Sequence, residues 1–443
     1  MSDFPSTRFE RGKVFARTGL KMGTNYAKHY VRKSLNPKDE ESSRNKLHTE
    51  NANELFKEFS RLKGTALKVA QTMSMDQGYL PDEYVDVLAQ SQYKVPPINK
   101  ALVRQIIQKE LGAAPEKLFA SFEDEAIAAA SIGQVHKAIS KEGKELAVKI
   151  QYPNVRDTID SDLSMGRAVL KRLVKGNIEE YFEEIRDKLL EETDYINEGN
   201  QINFFAKNYN TDRFATPEWI EELSTNKVLT MTFLKGKHMK EFLAMNPTQD
   251  ERNNFGQLMW DFFHEQIQRG NMIHADTHPG NFLFLDDGRL GIIDFGCVKN
   301  FPPDFFELYL RLLPTHLHGD KVEMRQLYID MEILKDKPDD TIHEEALTEF
   351  CYGFGDCFAL PYRKGTFDFG NKEFENTIRE FIKSAPRQAE VRGSRHFIFS
   401  SRVQIGLYRL LTELQAVIKT DEHIPIVEKK LLELRKENLA VSV

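Results

Sequence analysis

Residues 274 to 296, HADTHPGNFLFLDDGRLGIIDFG, gather two histidines and four aspartates, a density of polar chemistry that a structural core does not need. Two chemistries use such a set. His274, Asp276, His278 and Asp294 would offer nitrogen and oxygen ligands to a transition metal that activates water. Alternatively, the Asn281 amide and the Asp294 carboxylate would supply two oxygens to Mg2+, which keeps octahedral geometry and takes its remaining ligands from phosphate and water. In that second case Asp276, five residues before Asn281, would receive or orient an acceptor hydroxyl.

The second chemistry makes further demands. The spacing H-x-D-x-x-x-x-N is that of a kinase-type catalytic loop, and the Asp286-Asp287-Gly288 turn folds FLFL back on RLGIID so that Asp294, heading Asp-Phe-Gly, comes beside Asn281. A cation must then face the phosphates, and Lys149 in Ala-Val-Lys-Ile on a predicted strand fits that role. Such a lysine needs a helical carboxylate. KLLEETDYINEGN supplies one in Glu198, taken to share a helical face with Glu191 and Asp194. Where a glycine-rich phosphate loop would lie, the chain has Ala128, Ala129, Ala130 and Ser131, with Gly133 the one glycine kept. Alanine restricts the positive φ that glycine permits, so this nucleotide-contacting loop should be stiff.

Elements to hold these residues can be read from the rest of the chain. At 443 residues, two or three domains are expected. A net charge of −7 with 29% charged residues describes a globular protein and gives no basic surface for nucleic acid, so no nucleic-acid partner is expected. Three cysteines fit a reducing compartment. The start MSDFPSTRFERGK lacks the apolar core of a signal peptide, and no apolar run approaches the ~20 residues of a bilayer span. A cytoplasmic location is therefore expected, with any membrane contact peripheral and on the inner face.

The chain opens with a basic stretch from Arg8 to Lys33, interleaved with Phe9, Phe15 and Leu20, which reads either as a solvated arm or as a helix touching anionic lipid. NPKDEESSRN reads as a polar linker. Residues 1–50 are thus expected as arm and linker, 51–120 as a helical extension, 121–235 as a mixed lobe built on the hairpin AIAAASIGQVHKAI/ELAVKIQYP, and 236–443 as a largely helical lobe.

Taken together, AAASIGQVH, AVKIQYP, EETDYINE, HADTHPGN and IDFG resemble the UbiB (AarF) family of atypical protein-kinase-like proteins, over roughly residues 55–300. The resemblance implies an α+β, two-lobed protein-kinase-like fold with an N-terminal helical extension and a largely helical C-lobe. It further implies that Lys68 and Gln71, in LKGTALKVAQTMS, are the lysine and glutamine of the family's K-x-G-Q helix, which lies over the site and closes it. Glu192 and Asp194 match an E-x-D signature facing that helix. Ala70 departs from the motif glycine, and Thr277 stands where the family usually has proline.

On this reading the protein is an ATP-dependent atypical kinase or ATPase. Mg2+ with ATP or ADP is the expected cofactor, Asn281 and Asp294 are the metal ligands, and Asp276, Lys149, Glu198, Lys68 and Gln71 are the catalytic set. After Asp294-Phe295-Gly296 no Ala-Pro-Glu follows a long activation segment, so a lipid, a small molecule or water is expected as acceptor rather than a protein. The resemblance also implies support of isoprenoid quinone or other lipid metabolism, with lipid, a peripheral membrane surface and lipid-biosynthesis enzymes as partners. Two rivals use the same residues: a small-molecule phosphotransferase of the aminoglycoside or choline kinase type, and a nucleotide-binding scaffold for lipid-pathway enzymes.

Overall fold

Alternating apolar positions in GQVHKAI and ELAVKIQ, separated by a glycine turn, form strands β2 (Gly133–Ile139) and β3 (Glu145–Gln151). They pair antiparallel from Gly133 opposite Gln151 to Ile139 opposite Glu145. Gly143 takes the left-handed conformation (φ 84°) that the turn requires. The computed structural model describes residues 8–35, 40–62, 87, 97–129, 132–170, 179–383 and 395–441. Residues 126–129, Ala-Ile-Ala-Ala, expected inside the hairpin, instead end a separate strand, β1 (Ser121–Ala129), whose pairing with β2 is interrupted by register shifts. With β5 (Val228–Thr232) on the far side of β3, the sheet order is β1-β2-β3-β5. All but the first residue of β3 are buried, as expected of an inner strand.

Two compact units make up the chain, Met1–Asn200 with Glu218–Phe233, and Gln201–Pro217 with Leu234–Val443. In the first unit, helices α3 (Lys100–Leu111) and α4 (Pro115–Leu118) precede β1. Val103 and Ile107 of α3 pack with Ala138, Val148 and Ile150 of the sheet in one apolar core.

The basic start is not a free arm. Residues Arg8–Leu35 form α1, which packs on α2 (Glu40–Leu62) and on α5 (Val155–Leu170). Nor is 36–45 wholly a linker, because α2 already begins at Glu40. The reason lies partly in Arg11, which is only 2% exposed. Its guanidinium donates to both Asp162 oxygens, at 2.7 and 2.5 Å, and to the Leu62 carbonyl at 2.7 Å. Phe9 and Leu20 remain exposed on α1.

Helix α6 (Glu179–Glu192) and helix α7 (Tyr195–Tyr209) replace the single helix expected across this stretch. The break falls at Thr193-Asp194. Asp194 Oδ1 accepts the Asn197 amide at 3.1 Å, a helix N-cap that satisfies an otherwise unpaired donor.

The second unit is mostly helical. A three-stranded sheet of order β4-β8-β7 joins β4 (Phe214–Ala215), β7 (Phe282–Phe284) and β8 (Leu290–Ile292). A second pair joins β6 (Met272–His274) and β9 (Val298–Asn300). The short α8 (Met239–Ala244) is followed by the long α9 (Gln249–Arg269), capped by Thr248 and Glu251, which leads into β6. Helices α10 (Pro303–His318), α11 (Lys321–Asp330) and α12 (Thr341–Ala359) follow. The unit ends with strand β10 (Thr366–Asp368), α13 (Lys372–Lys383), α14 (Arg395–Leu414), β11 (Val417–Lys419), which pairs with β10, and α15 (Ile424–Val441). None of the helices among the described residues is long and apolar enough to cross a membrane.

Arg11→Leu leaves a carboxylate that burial already pushes up from its usual range with no cation to oppose that rise. The variant is expected to lose about 3 kcal/mol of stability in urea unfolding, since stranding one partner of a buried pair costs that order. A loss near zero would show that α1 docks independently of the pair. In α9, burial together with the stacked His423 pushes the His264 imidazole down to about 3. The unfolded chain binds that proton near pH 6.5, so the stability is fully present above that pH and falls as pH drops toward 3, by about 1.4 kcal/mol per pH unit. His264→Gln should show a flatter stability profile between pH 7 and 5 than the wild type; parallel profiles would assign the slope to other groups.

Candidate active site

In the first unit the decisive geometry is an ion pair with little water around it. Lys149 lies on β3 opposite Val135 and Leu229 and is 7% exposed. Its Nζ donates to both oxygens of Glu198, at 2.8 and 3.0 Å. Glu198, 3% exposed, stands in the first turn of α7, where the helix N-terminus favours negative charge. The aromatic ring of Tyr195, from that same turn, lies 5.2 Å from Nζ.

Three features fix α7 against the sheet. Asp194 caps it. Gly199 has no Cβ, and the Trp219 ring occupies the space a Cβ would need. Gly133 serves in the same way, because a Cβ there would meet the Ile150 carbonyl and the Tyr195 hydroxyl. This glycine is therefore required by close packing of β2, β3 and α7, and not by positive φ. Ala128 and Ala129 are exposed at the end of β1, opposite Val135 and Gln134. Glu192 ends α6. Lys68, Gln71, Ala130 and Ser131 lie outside the described residues.

In the second unit the β7–β8 hairpin brings the loop residues together. Phe282 pairs with Ile292, and the Ile293 amide donates to the Asn281 carbonyl at 3.1 Å, so Asp294 follows directly at the open end of the hairpin. Asn281 Nδ2 donates to the Asp276 carbonyl at 3.2 Å, which presents the amide oxygen as the end able to ligate a cation. Asp276 Oδ1 accepts the His278 amide at 3.1 Å, and Asp294 Oδ1 accepts the Gly296 amide at 3.0 Å. Asp276 and Asp294 are both half-buried.

Both histidines brace this loop. His274 Nε2 lies 2.7 Å from the Asp294 carbonyl, which can only accept, so Nε2 carries the proton. Its ring packs among Phe205, Phe262, Phe282 and Phe295. His278 Nδ1 accepts the Gly280 amide at 3.0 Å. No group of three or more His, Cys, Asp or Glu side chains among the described residues is placed to hold a metal. The geometry thus runs against a hydrolase centre built on His274, Asp276, His278 and Asp294. The two oxygen donors Asn281 and Asp294 fit a cation that completes its shell with phosphate and water.

Sequence reading missed several supports of the loop and the lysine. Gln266 of α9 accepts the His274 amide at 2.6 Å. Gly406 of α14 leaves space that the Thr277 hydroxyl fills. Tyr195 and Gly199 flank Glu198 in YINEG, and a glycine inside a helical pattern was the available signal.

The ABC1 atypical kinase-like domain matches residues 90–328. Among relatives, a Dictyostelium discoideum protein named "Probable serine/threonine-protein kinase abkA" is 28% identical over 85% of this chain and 71% of its own length. The Arabidopsis thaliana protein "ACTIVITY OF BC1 COMPLEX KINASE 8, chloroplastic" is 33% identical over 62% of this chain, which spans only 38% of that relative's length. In structure, a Mycobacterium tuberculosis protein solved in complex with erythromycin aligns with TM-score 0.59 and 28% identity, covering 87% of this chain and 97% of its own.

Glu198→Ala should lose about 3 kcal/mol of stability through the stranded Lys149 ammonium, while the double variant Lys149→Met with Glu198→Leu should recover most of it, because apolar residues replace a buried pair at little cost. Denaturant unfolding of the three proteins decides the matter. A double variant as unstable as the single one would mean that the pair is a structural requirement of the sheet.

Proposed function

Because the chain belongs to the ABC1 atypical kinase-like family, the UbiB (AarF) family of its motifs, we propose that it is an ATP-dependent atypical kinase or ATPase that binds Mg-nucleotide and serves isoprenoid quinone or other lipid metabolism. The buried Lys149–Glu198 pair carries this reading. A buried ion pair is a poor way to stabilise a sheet, so a lysine held by two hydrogen bonds at the protein's expense is best explained as a pre-placed cation for phosphate oxygens.

Each remaining residue then has a task. Asn281 and Asp294 hold Mg2+, which when bound neutralises charge on the transferred phosphoryl group. Asp276 orients the acceptor hydroxyl or water, and its carboxylate is aimed by the His278 amide. His274 fixes the Asp294 backbone from behind. Glu192 and Asp194 contribute on the nucleotide side, and Lys68 and Gln71 close the site. The tight β2 start at Gly133, with Ala128 and Ala129 at the end of β1 opposite Val135 and Gln134, limits the poses open to the phosphates.

An acceptor other than a folded protein is supported by the short path after Asp-Phe-Gly. Only residues 297–302 separate Gly296 from α10, which leaves no long activation segment to dock a peptide. Exposed Phe9 and Leu20 on the basic α1 support a peripheral lipid contact on the cytoplasmic face. Lipid-pathway enzymes are the protein partners this role calls for.

Thermal unfolding tests the assignment. Mg·ATP or Mg·ADP at ~100 times its dissociation constant should stabilise the wild type by about 2.7 kcal/mol, and Asp294→Asn should remove that Mg-dependent shift. An Asp294→Asn protein that keeps both the shift and wild-type ATP turnover would overturn the metal and nucleotide roles.

A further inference from the structure

On the face of the sheet turned to α3, separate parts of the first unit are strung on one chain of hydrogen bonds. Gln134 and His136 of β2 are 1% and 0% exposed. They lie on the face of Ala138, Ile150 and Val148, whereas Val135 and Lys149, alternate in the register, face the other way. The Ile98 amide donates to Gln134 Oε1 at 2.7 Å, Gln134 Nε2 lies 2.8 Å from His136 Nε2, and His136 Nδ1 lies 2.8 Å from the Glu123 carbonyl of β1. The Phe122 ring stacks on the imidazole.

Every proton in this chain has one place to be. A backbone amide only donates, so Gln134 turns its oxygen to Ile98 and its NH2 to His136. An NH2 only donates as well, so His136 Nε2 accepts and carries no proton. The ring is therefore neutral, with its one proton on Nδ1 and donated to the Glu123 carbonyl. A second proton, on Nε2, would set N–H against NH2. Turning the Gln134 amide over relieves that clash only by setting NH2 against the Ile98 amide. The surroundings also disfavour the charged ring: burial, outweighing the carboxylates of Asp124 and Glu123, pushes the imidazole below its ordinary range. Asp124 is itself held by Arg104 and Lys100 of α3, and the residue opposite on β3 is Val148.

We propose that Gln134 and His136 form a proton-operated latch, closed at neutral pH and opened by acid, which fastens the chain entering α3 to the start of β2 and thereby regulates the nucleotide site. Ile98 follows the stretch that carries Lys68 and Gln71. Gln134 adjoins Gly133, whose close packing on Ile150 and the Tyr195 hydroxyl sets the start of β2 beside the strand of Lys149. The latch stands on the hydrogen-bond chain, and its effect on nucleotide rests on the reading of Lys149 as the phosphate cation. The open form takes its proton near pH 6.5 and the closed form refuses it, so closure is complete above that pH and is lost as pH falls.

The test uses the full chain labelled with 15N-isoleucine. From about pH 7.5 to about pH 5, the hydrogen-exchange protection of the Ile98 amide, corrected for its intrinsic rate, should fall about fivefold or more, while that of Ile159 in α5 holds. Gln134→Glu places a carboxylate that accepts from both the Ile98 amide and the protonated ring, so its Ile98 protection should not fall in acid. His136→Gln cannot take the proton and should likewise flatten the profile, which keeps the comparison available should Gln134→Glu fail to fold. The Mg·ADP affinity of the wild type relative to Gln134→Glu, a ratio that cancels the nucleotide's own titration, should fall over the same range. Constant Ile98 protection in the wild type, or an equal fall in both variants, would overturn the latch. Opening with an unchanged affinity ratio would overturn its regulation of the site. No Mg·ADP binding at about pH 7.5 would instead defeat the nucleotide reading, and the exchange measurement would still decide the latch.

Discussion

The costliest arrangement in the first unit is the burial of the Lys149 ammonium against Glu198, and much of the surrounding architecture is what that burial requires. Desolvating both charges costs several kcal/mol each, so the pair persists only where geometry is held tightly on both sides. An inner strand supplies one side, its backbone paired on both edges with β2 and β5 so that the Lys149 main chain is fixed. The first turn of a capped helix supplies the other. Gly133 and Gly199 then let β3, α7 and Trp219 approach more closely than any side chain would allow. An Ala at 133 would collide with the Ile150 carbonyl and the Tyr195 hydroxyl, and an Ala at 199 with the Trp219 ring.

The second unit solves a different problem, that of holding polar loop residues half-exposed and still rigid. Its answer is to fasten the loop from behind by the backbone. The Asp294 carbonyl is held by His274, the Asn281 carbonyl by the Ile293 amide, and the Asp276 carbonyl by the Asn281 side chain. Side-chain oxygens with backbone-fixed origins can meet a cation without reorganising, which is where most of the advantage of a preformed site comes from. The phenylalanines around the His274 ring keep water from competing for its bond to Asp294.

How much of this was legible depends on the range of the interaction. Lys149, Asp276, Asn281 and Asp294 stood out because strand alternation, an Asp-Asp-Gly turn and fixed spacings are local patterns. Glu198 was also found, but by a wrong route, since a continuous helical face was assumed where Asp194 in fact caps a new helix. Thr-Asp is equally compatible with a helix interior and with a cap, and only the neighbouring α6 decides between them. The docking of α1 was invisible for a stronger reason: Arg11 is buried because its partner stands 151 residues away. A charge run read by itself always looks wet. The strands β4, β6, β9, β10 and β11 escaped because strands of two or three residues carry no periodicity.

Thr277 shows how a departure from a motif can be absorbed without loss of the motif's geometry. A proline there would stiffen the loop by fixing φ and would need no outside support. Threonine leaves that torsion open and adds a hydroxyl that must be placed. In this chain the hydroxyl is received by α14 at Gly406, where any side chain on the helix would collide with it. The constraint moves from the loop's own backbone to a helix more than a hundred residues later, and the loop remains fixed on both sides of Asp276. Substituting Gly406 therefore disturbs the loop although it touches none of its polar groups, and even a residue at 277 without the hydroxyl would bring its Cβ against a side chain at 406. Thr277 is thus acceptable in this loop because position 406 carries no side chain.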